Sequence, residues 1–139
     1  MKISAKVDYA CRALIELGLH WPNKNPVSIQ VIGQRQGIPS NFLTHILISL
    51  KQLGFVESNR GKSGGYFLTK TPAEITLKEI IVHFGGPGIL SSGNGTGRKI
   101  TDLIWQEIDR DIFKKMDAMT LLTICDRVRR QNKAFVYDI

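Results

Sequence analysis

Residues 28–66 place two short helical patterns directly before a glycine-rich hairpin, and few folds accommodate that order. Ser28 offers a capping side chain for the first helix, which residues 28–36 supply. Gly37-Ile38-Pro39 ends this helix, because glycine suits a left-handed C-cap and proline disfavours helix at the residue before it. Ser40 is expected to cap a second helix. Its apolar residues recur at three- and four-residue steps: Phe42, Leu43, Ile46, Leu47, Leu50 and Leu53.

The other side of the second helix is polar and almost uncharged. Short hydrogen-bonding side chains of this kind are what a helix needs to read base edges in a major groove. His45 faces outward there, which favours a base or phosphate contact over a passive surface position. The candidates for contact with DNA on this helix are Ser40, Asn41, Thr44 and His45.

The hairpin that follows has a basic, glycine-rich tip. Residues 55–58 and 66–69 read as two strands, and the tip carries two cations and three glycines: Arg60, Gly61, Lys62, Gly64 and Gly65. Glycine lets a backbone approach a phosphate chain, and arginine suits a narrow, electronegative minor groove. A helix-turn-helix followed at once by such a hairpin predicts a winged helix-turn-helix that binds double-stranded DNA.

The charge distribution agrees with a polyanionic partner. The net charge is +7, and residues 1–72 hold nine Lys or Arg against three Asp or Glu, whereas residues 73–139 hold ten against nine. A basic surface kept only for solubility would not be segregated in this way. The candidates for phosphate contacts are Lys2, Lys6, Lys51 and Lys62.

The C-terminal part reads as a loop and a long amphipathic helix. The sequence predicts a DNA-binding domain over residues 1–84, a glycine-rich loop over 85–97, and a dimerisation helix with a last helix (120–130) and an apolar tail over 98–139. The long helix either folds back on its own domain or pairs with a second copy, and the length of its apolar stripe favours a homodimer. The stripe comprises Ile100, Leu103, Ile104, Ile108, Ile112 and Met116.

Several classes of protein are disfavoured by what the sequence lacks. No apolar run approaches the roughly 20 residues that span a bilayer, and the N-terminus does not resemble a signal peptide. Cys11 and Cys125 are far apart and fall on apolar helix faces, so we expect packing cysteines in a cytoplasmic protein. No catalytic constellation and no metal-ligand spacing is found, so an enzyme or a metal site is not expected.

The chain resembles the Rrf2 (Rrf-two) family of bacterial transcription regulators, which includes the iron–sulfur-cluster regulator and the cysteine-metabolism repressor. The resemblance implies a mainly α fold with a small β-hairpin wing, in which a winged helix-turn-helix is joined to a long dimerisation helix. At Val7-Asp8 the family often carries Gly-Arg, so a cation is missing there. The matching features are Met1-Lys2-Ile3-Ser4 with Lys6 and Tyr9, the Gly37-Ile38-Pro39 turn, and the segments 50–56, 60–68 and 75–81.

The resemblance also implies a mode of action. Family members that sense iron–sulfur status carry three cysteines in the loop before the long helix, and residues 85–97 contain none, so no cofactor is expected. We expect a repressor that binds an imperfect palindrome as a homodimer. The alternative is a winged-helix interaction module that docks a metabolic enzyme such as cysteine synthase through its tail, Tyr137-Asp138-Ile139.

Overall fold

A computed structural model describes residues 2–86, 88–90 and 99–137 of the chain, with side chains up to residue 133. Six helices and a two-stranded hairpin are found in these ranges, so the predicted mainly α fold with a β-hairpin wing is confirmed. In chain order they are α1 (Ala5–Leu19), α2 (Ile29–Gln36), α3 (Ser40–Gln52), β1 (Val56–Asn59), β2 (Gly65–Leu68), a 3-10 turn (Pro72–Glu74), α4 (Leu77–Gly85), α5 (Ile100–Asp117) and α6 (Leu121–Tyr137).

Hydroxyl side chains fix the start of three helices. Ser4, Ser28 and Thr76 each accept a hydrogen bond, at 3.2 to 3.3 Å, from the backbone N–H three residues later. The prediction that Ser40 caps α3 is wrong. Pro39 occupies the cap position with an extended backbone, and Ser40 is the first helical residue, so its side chain makes no capping bond.

One continuous core joins the two ends of the chain. Leu121 and Cys125 of α6 are buried in the same cluster as residues of α1 to α4. α6 approaches α1 closely at Gly18, where an added Cβ would lie 2.7 Å from the Cys125 sulfur. The core therefore crosses the predicted boundary between residues 1–84 and 98–139. Its fully buried larger side chains include Leu14, Leu17, Ile32, Leu43, Leu47, Leu50, Ile75 and Ile80.

Three details of the helices differ from the sequence prediction. Phe42 is 53% exposed rather than buried, and its ring packs at the edge of the core on the ring of Tyr9, with 6.0 Å between centroids. α6 continues to Tyr137 where an apolar tail was predicted, while Asp138 and Ile139 lie outside the described residues. Asp109 is 5% exposed, although it stands among the charged residues of α5.

Two hydrogen bonds to the segment after α4 explain the burial of Asp109. Its Oδ1 accepts hydrogen bonds from the backbone N–H groups of Ile89 (3.3 Å) and Leu90 (2.9 Å), which follow α4. These bonds fasten the segment after α4 to the middle of α5.

In the part of the chain that the structure describes, no helix is both long and apolar enough to cross a membrane.

Candidate nucleic-acid interface

The outward face of α3, which we call the recognition helix, presents the polar side chains expected from the sequence. Asn41, Thr44 and His45 are all exposed along its first two turns. Thr44 Oγ1 donates to the carbonyl of Ser40 (2.9 Å), which fixes its rotamer. Ile48, one turn after Thr44, is exposed on the same face and was not singled out by the sequence.

The wing, residues 56–68, is a paired hairpin. β1 and β2 run antiparallel with Val56 opposite Leu68 and Asn59 opposite Gly65. The free edge of β2 pairs with Val27, two residues before α2: Val27 N–H donates to the Tyr66 carbonyl (2.8 Å), and Tyr66 N–H donates to the Val27 carbonyl (2.9 Å). The wing is therefore hydrogen-bonded to the helix-turn-helix itself.

The wing glycines serve different purposes. A Cβ at Gly65 would collide with the carbonyl group of Val27, and one at Gly64 would lie 2.6 Å from the Asn59 carbonyl oxygen. Close backbone packing within the chain therefore explains Gly64 and Gly65, where the sequence suggested approach to phosphate. Gly61 is exposed at the tip with φ of +119° and open space around it, so backbone conformation alone requires glycine there.

The cations of the wing differ from the cation of the recognition helix in whether they form ion pairs within the chain. Arg60 and Lys62 are exposed and make no ion pair with any residue that the structure describes. Lys51 was expected to be a free phosphate ligand, but its Nζ lies 2.9 Å from Ser58 Oγ and 3.1 Å from Glu57 Oε1. The hydrogen bonds from the Ser58 N–H and from Lys51 lower the pKa of Glu57. Lys51 thus links the recognition helix to the wing.

The cations near the N-terminus lie beside α4. Lys2 and Lys6 are exposed, and Lys6 Nζ stands 5.8 Å from the centre of the Phe84 ring. Asp8 forms an ion pair with Arg12 at 2.7 Å. Arg12 also donates to the carbonyl of Gln36 at 3.1 Å. The Asp8 carboxylate is therefore partly neutralised within the chain.

Glu16 of α1 positions α2, and sequence reasoning missed it. It is 4% exposed and accepts hydrogen bonds from Arg35 Nη1 (2.9 Å) and Gln36 Nε2 (3.0 Å) at the end of α2. Burial alone would raise the pKa of this carboxyl. Hydrogen bonds from Gln36, Arg35 and His20 outweigh that effect and leave its pKa below the usual value. Because these partners are 19 and 20 residues away in α2, no local pattern marks Glu16.

An open cleft of about 860 Å³ lies between the recognition helix and the wing. Ile48, Lys51 and Gln52 line it from the recognition helix, and Arg60 and Gly61 line it from the wing tip. The second half of the recognition helix and the wing thus border one concave surface with two cations, Lys51 and Arg60, while the predicted base readers in the first two turns of the helix lie outside it. An element that contacts DNA in two adjacent grooves needs this arrangement.

Comparison with known proteins identifies the family. The model of the family described as "Rrf2: Iron-dependent Transcriptional regulator" matches residues 3–127. The chain belongs to the Rrf2 family. It is 37% identical over 127 residues to the HTH-type transcriptional regulator IscR of Photorhabdus laumondii, an alignment that covers 87% of this chain and 77% of that protein.

Solved structures give the same answer for the fold. CymR, the global cysteine regulator of B. subtilis, superposes with a TM-score of 0.79 at 28% identity, covering 91% of this chain and 98% of CymR. IscR of T. potens gives a TM-score of 0.77 at 28% identity, covering 92% and 88% of the two chains. The chain is accordingly a DNA-binding transcription regulator of the Rrf2 family and not an enzyme.

The family description names iron, but the residues of this Rrf2 protein do not fit an iron–sulfur cluster. Residues 85–98 contain no Cys, His, Asp or Glu. Among the described residues no group of three or more such side chains could hold a metal ion. Burial raises the pKa of the Cys11 thiol to about 11 and also raises that of Cys125, which lies in the core. Cluster irons require thiolates, so these two separated thiols are poor ligands.

Protein purified under anaerobic conditions is therefore expected to be colourless. Two cysteines on different helices, one partly and one fully buried, do not replace several thiolates in one loop. Visible absorption and iron analysis measure this directly. Stoichiometric iron with a charge-transfer band would contradict the prediction.

Proposed function

We propose that this Rrf2-family regulator acts in the cytoplasm as a homodimer that binds an imperfect palindrome and represses transcription by covering a promoter. The observation that carries the proposal is the shared cleft, because it brings the second half of the recognition helix and Arg60 of the wing to one surface. Repression follows from occupancy alone and needs no further surface for contact with polymerase.

The side chains that we propose to contact DNA take three roles. The recognition helix enters the major groove, and Arg60 enters the adjacent minor groove, where a guanidinium sheds water more readily than an ammonium. Lys51 holds the wing in place and is itself close enough to the cleft to reach a phosphate. The base-reading candidates are Asn41, Thr44 and His45, and the backbone-contacting candidates are Lys2, Lys6, Ser40, Gly61 and Lys62.

The proposed dimer uses the first half of α5. Ile100, Leu103, Ile104 and Ile108 are 70, 48, 41 and 37% exposed, which leaves an apolar surface without cover in a single chain. Ile112 and Met116, in the second half, are partly buried, so they contribute less to the seam. A two-fold axis through the exposed half would bury the same residues of both copies.

The Arg60→Ala variant tests the DNA-binding role of the wing. We expect it to keep the fold and to lose roughly 1–3 kcal/mol of affinity for a duplex selected from genomic fragments. Its affinity for a scrambled duplex should change less, because Arg60 responds to the shape of the groove. The measurement is titration of both duplexes at several salt concentrations, with circular dichroism as the test of folding.

Lys62→Ala is the matched control on the same hairpin. It should weaken the binding of both duplexes alike and lower the salt slope by about one, as expected for the loss of a phosphate contact. If Arg60→Ala bound the selected duplex as tightly as the unchanged protein, the hairpin would not be a DNA-reading wing.

A further inference from the structure

The recognition helix carries an apolar side chain among its polar ones, and we infer that Ile48 reads a thymine through that base's 5-methyl group. This inference rests on the proposed binding of DNA through the recognition helix. It adds one base identity to the operator that the polar side chains alone do not specify. Ile48 would contact that methyl group in the major groove on the wing side of the helix.

The position of Ile48 is the first argument. It follows Thr44 by four residues and His45 by three, so all three lie on one face of the helix. Ile48 also lines the cleft between the recognition helix and the wing, next to Gln52 and Lys51. A residue at this place faces the part of the major groove that borders the backbone approached by the wing.

The exposure of Ile48 is the second argument. Its side chain is 45% exposed and does not belong to the core, whereas Ile46 and Leu47 beside it are 3% and 0% exposed. Phe42, the other exposed apolar residue of this helix, has the Tyr9 ring as a neighbour. Ile48 is therefore the apolar side chain of the recognition helix that contributes least to packing within the chain.

The chemistry of base edges supplies the ligand. In the major groove thymine alone among the four bases presents a methyl group, and apolar side chains distinguish it from cytosine by contact. An isoleucine cannot form a hydrogen bond with any base edge. Burial of one methyl-sized group changes a binding constant about fourfold, which is enough to select one base at one position.

The experiment removes only the methyl group. A duplex is selected from a random-sequence pool with the purified full-length protein, and each of its thymines is replaced in turn by deoxyuridine. We expect one replacement per half-site to weaken binding of the unchanged protein about fourfold. Ile48→Ala should bind the selected duplex and the deoxyuridine-containing duplex equally. Ile48→Val, which keeps a branched apolar side chain, should retain the preference.

Leu122→Ala is the matched control, because Leu122 is similarly exposed at 41% but lies on α6 outside the cleft. Deoxyuridine replacement should weaken the binding of this variant as much as it weakens the binding of the unchanged protein. Indifference of the unchanged protein to every replacement, with steeply salt-dependent binding intact, would overturn the role of Ile48 and leave the proposed function standing. If deoxyuridine replacement still weakened the binding of Ile48→Ala, that result would also overturn the role of Ile48. Failure to enrich any duplex would overturn both.

Discussion

Aspartate at both Ile104 and Ile108 is expected to leave the regulator monomeric or unfolded. The two side chains are 41 and 37% exposed in a single chain and lie at the centre of the proposed seam on α5. A carboxylate buried there without a partner costs about 3–5 kcal/mol, and the two-fold axis would double the number of such groups. Sedimentation equilibrium gives the mass, and circular dichroism distinguishes a folded monomer from an unfolded chain.

Gln106→Asp provides the control for this prediction. Gln106 is an exposed residue of the same helix outside the apolar stripe, so the variant adds a carboxylate to the helix without placing it in the seam. It should sediment as the unchanged protein does. A dimer that survived both isoleucine substitutions would place the interface on another surface.

Gly65→Ala is expected to lower the free energy of unfolding by roughly 2–4 kcal/mol, because it combines overpacking with the loss of two backbone hydrogen bonds. The new Cβ would collide with the backbone of Val27, and no side-chain rotation relieves a contact between two backbones. The bonds between Val27 and Tyr66, at 2.8 and 2.9 Å, would have to open. Urea unfolding followed by circular dichroism measures the change.

Ser63→Ala serves as the comparison, since Ser63 is exposed on the same hairpin. Its unfolding free energy should stay within about 0.5 kcal/mol of that of the unchanged protein. Equal stability of the Gly65→Ala protein would mean that the wing can separate from Val27 without cost. The loss of operator affinity in Gly65→Ala should exceed the loss in Ser63→Ala.

The helices and the hairpin whose ends are set by nearby residues could be predicted from the sequence. Ser28, Gly37 and Pro39 fix the two helices of the helix-turn-helix through capping and backbone preferences that act within a few residues. The hairpin followed from the clustering of glycine and basic residues between two short strand patterns. Strand bounds differed by one residue, with β1 at Val56–Asn59 and β2 at Gly65–Leu68.

Interactions between distant residues could not be predicted in this way. Lys51 resembled a phosphate ligand until the wing brought Glu57 and Ser58 to its ammonium group. Asp109 resembled a solvent-facing charge, because its partners are backbone N–H groups 19 and 20 residues earlier. A periodic pattern predicts on which face of a helix a residue lies. It does not predict which other segment of the chain packs against that face.

The attachment of the wing at two places affects how the regulator meets DNA. β2 is hydrogen-bonded to Val27, and Lys51 holds β1 through Ser58. Fixing a free backbone residue costs roughly 1–2 kcal/mol of conformational entropy, and this wing is already fixed before any duplex arrives. We therefore expect it to discriminate between duplexes by groove width, since a hairpin held in this way does not adjust to a groove of the wrong width.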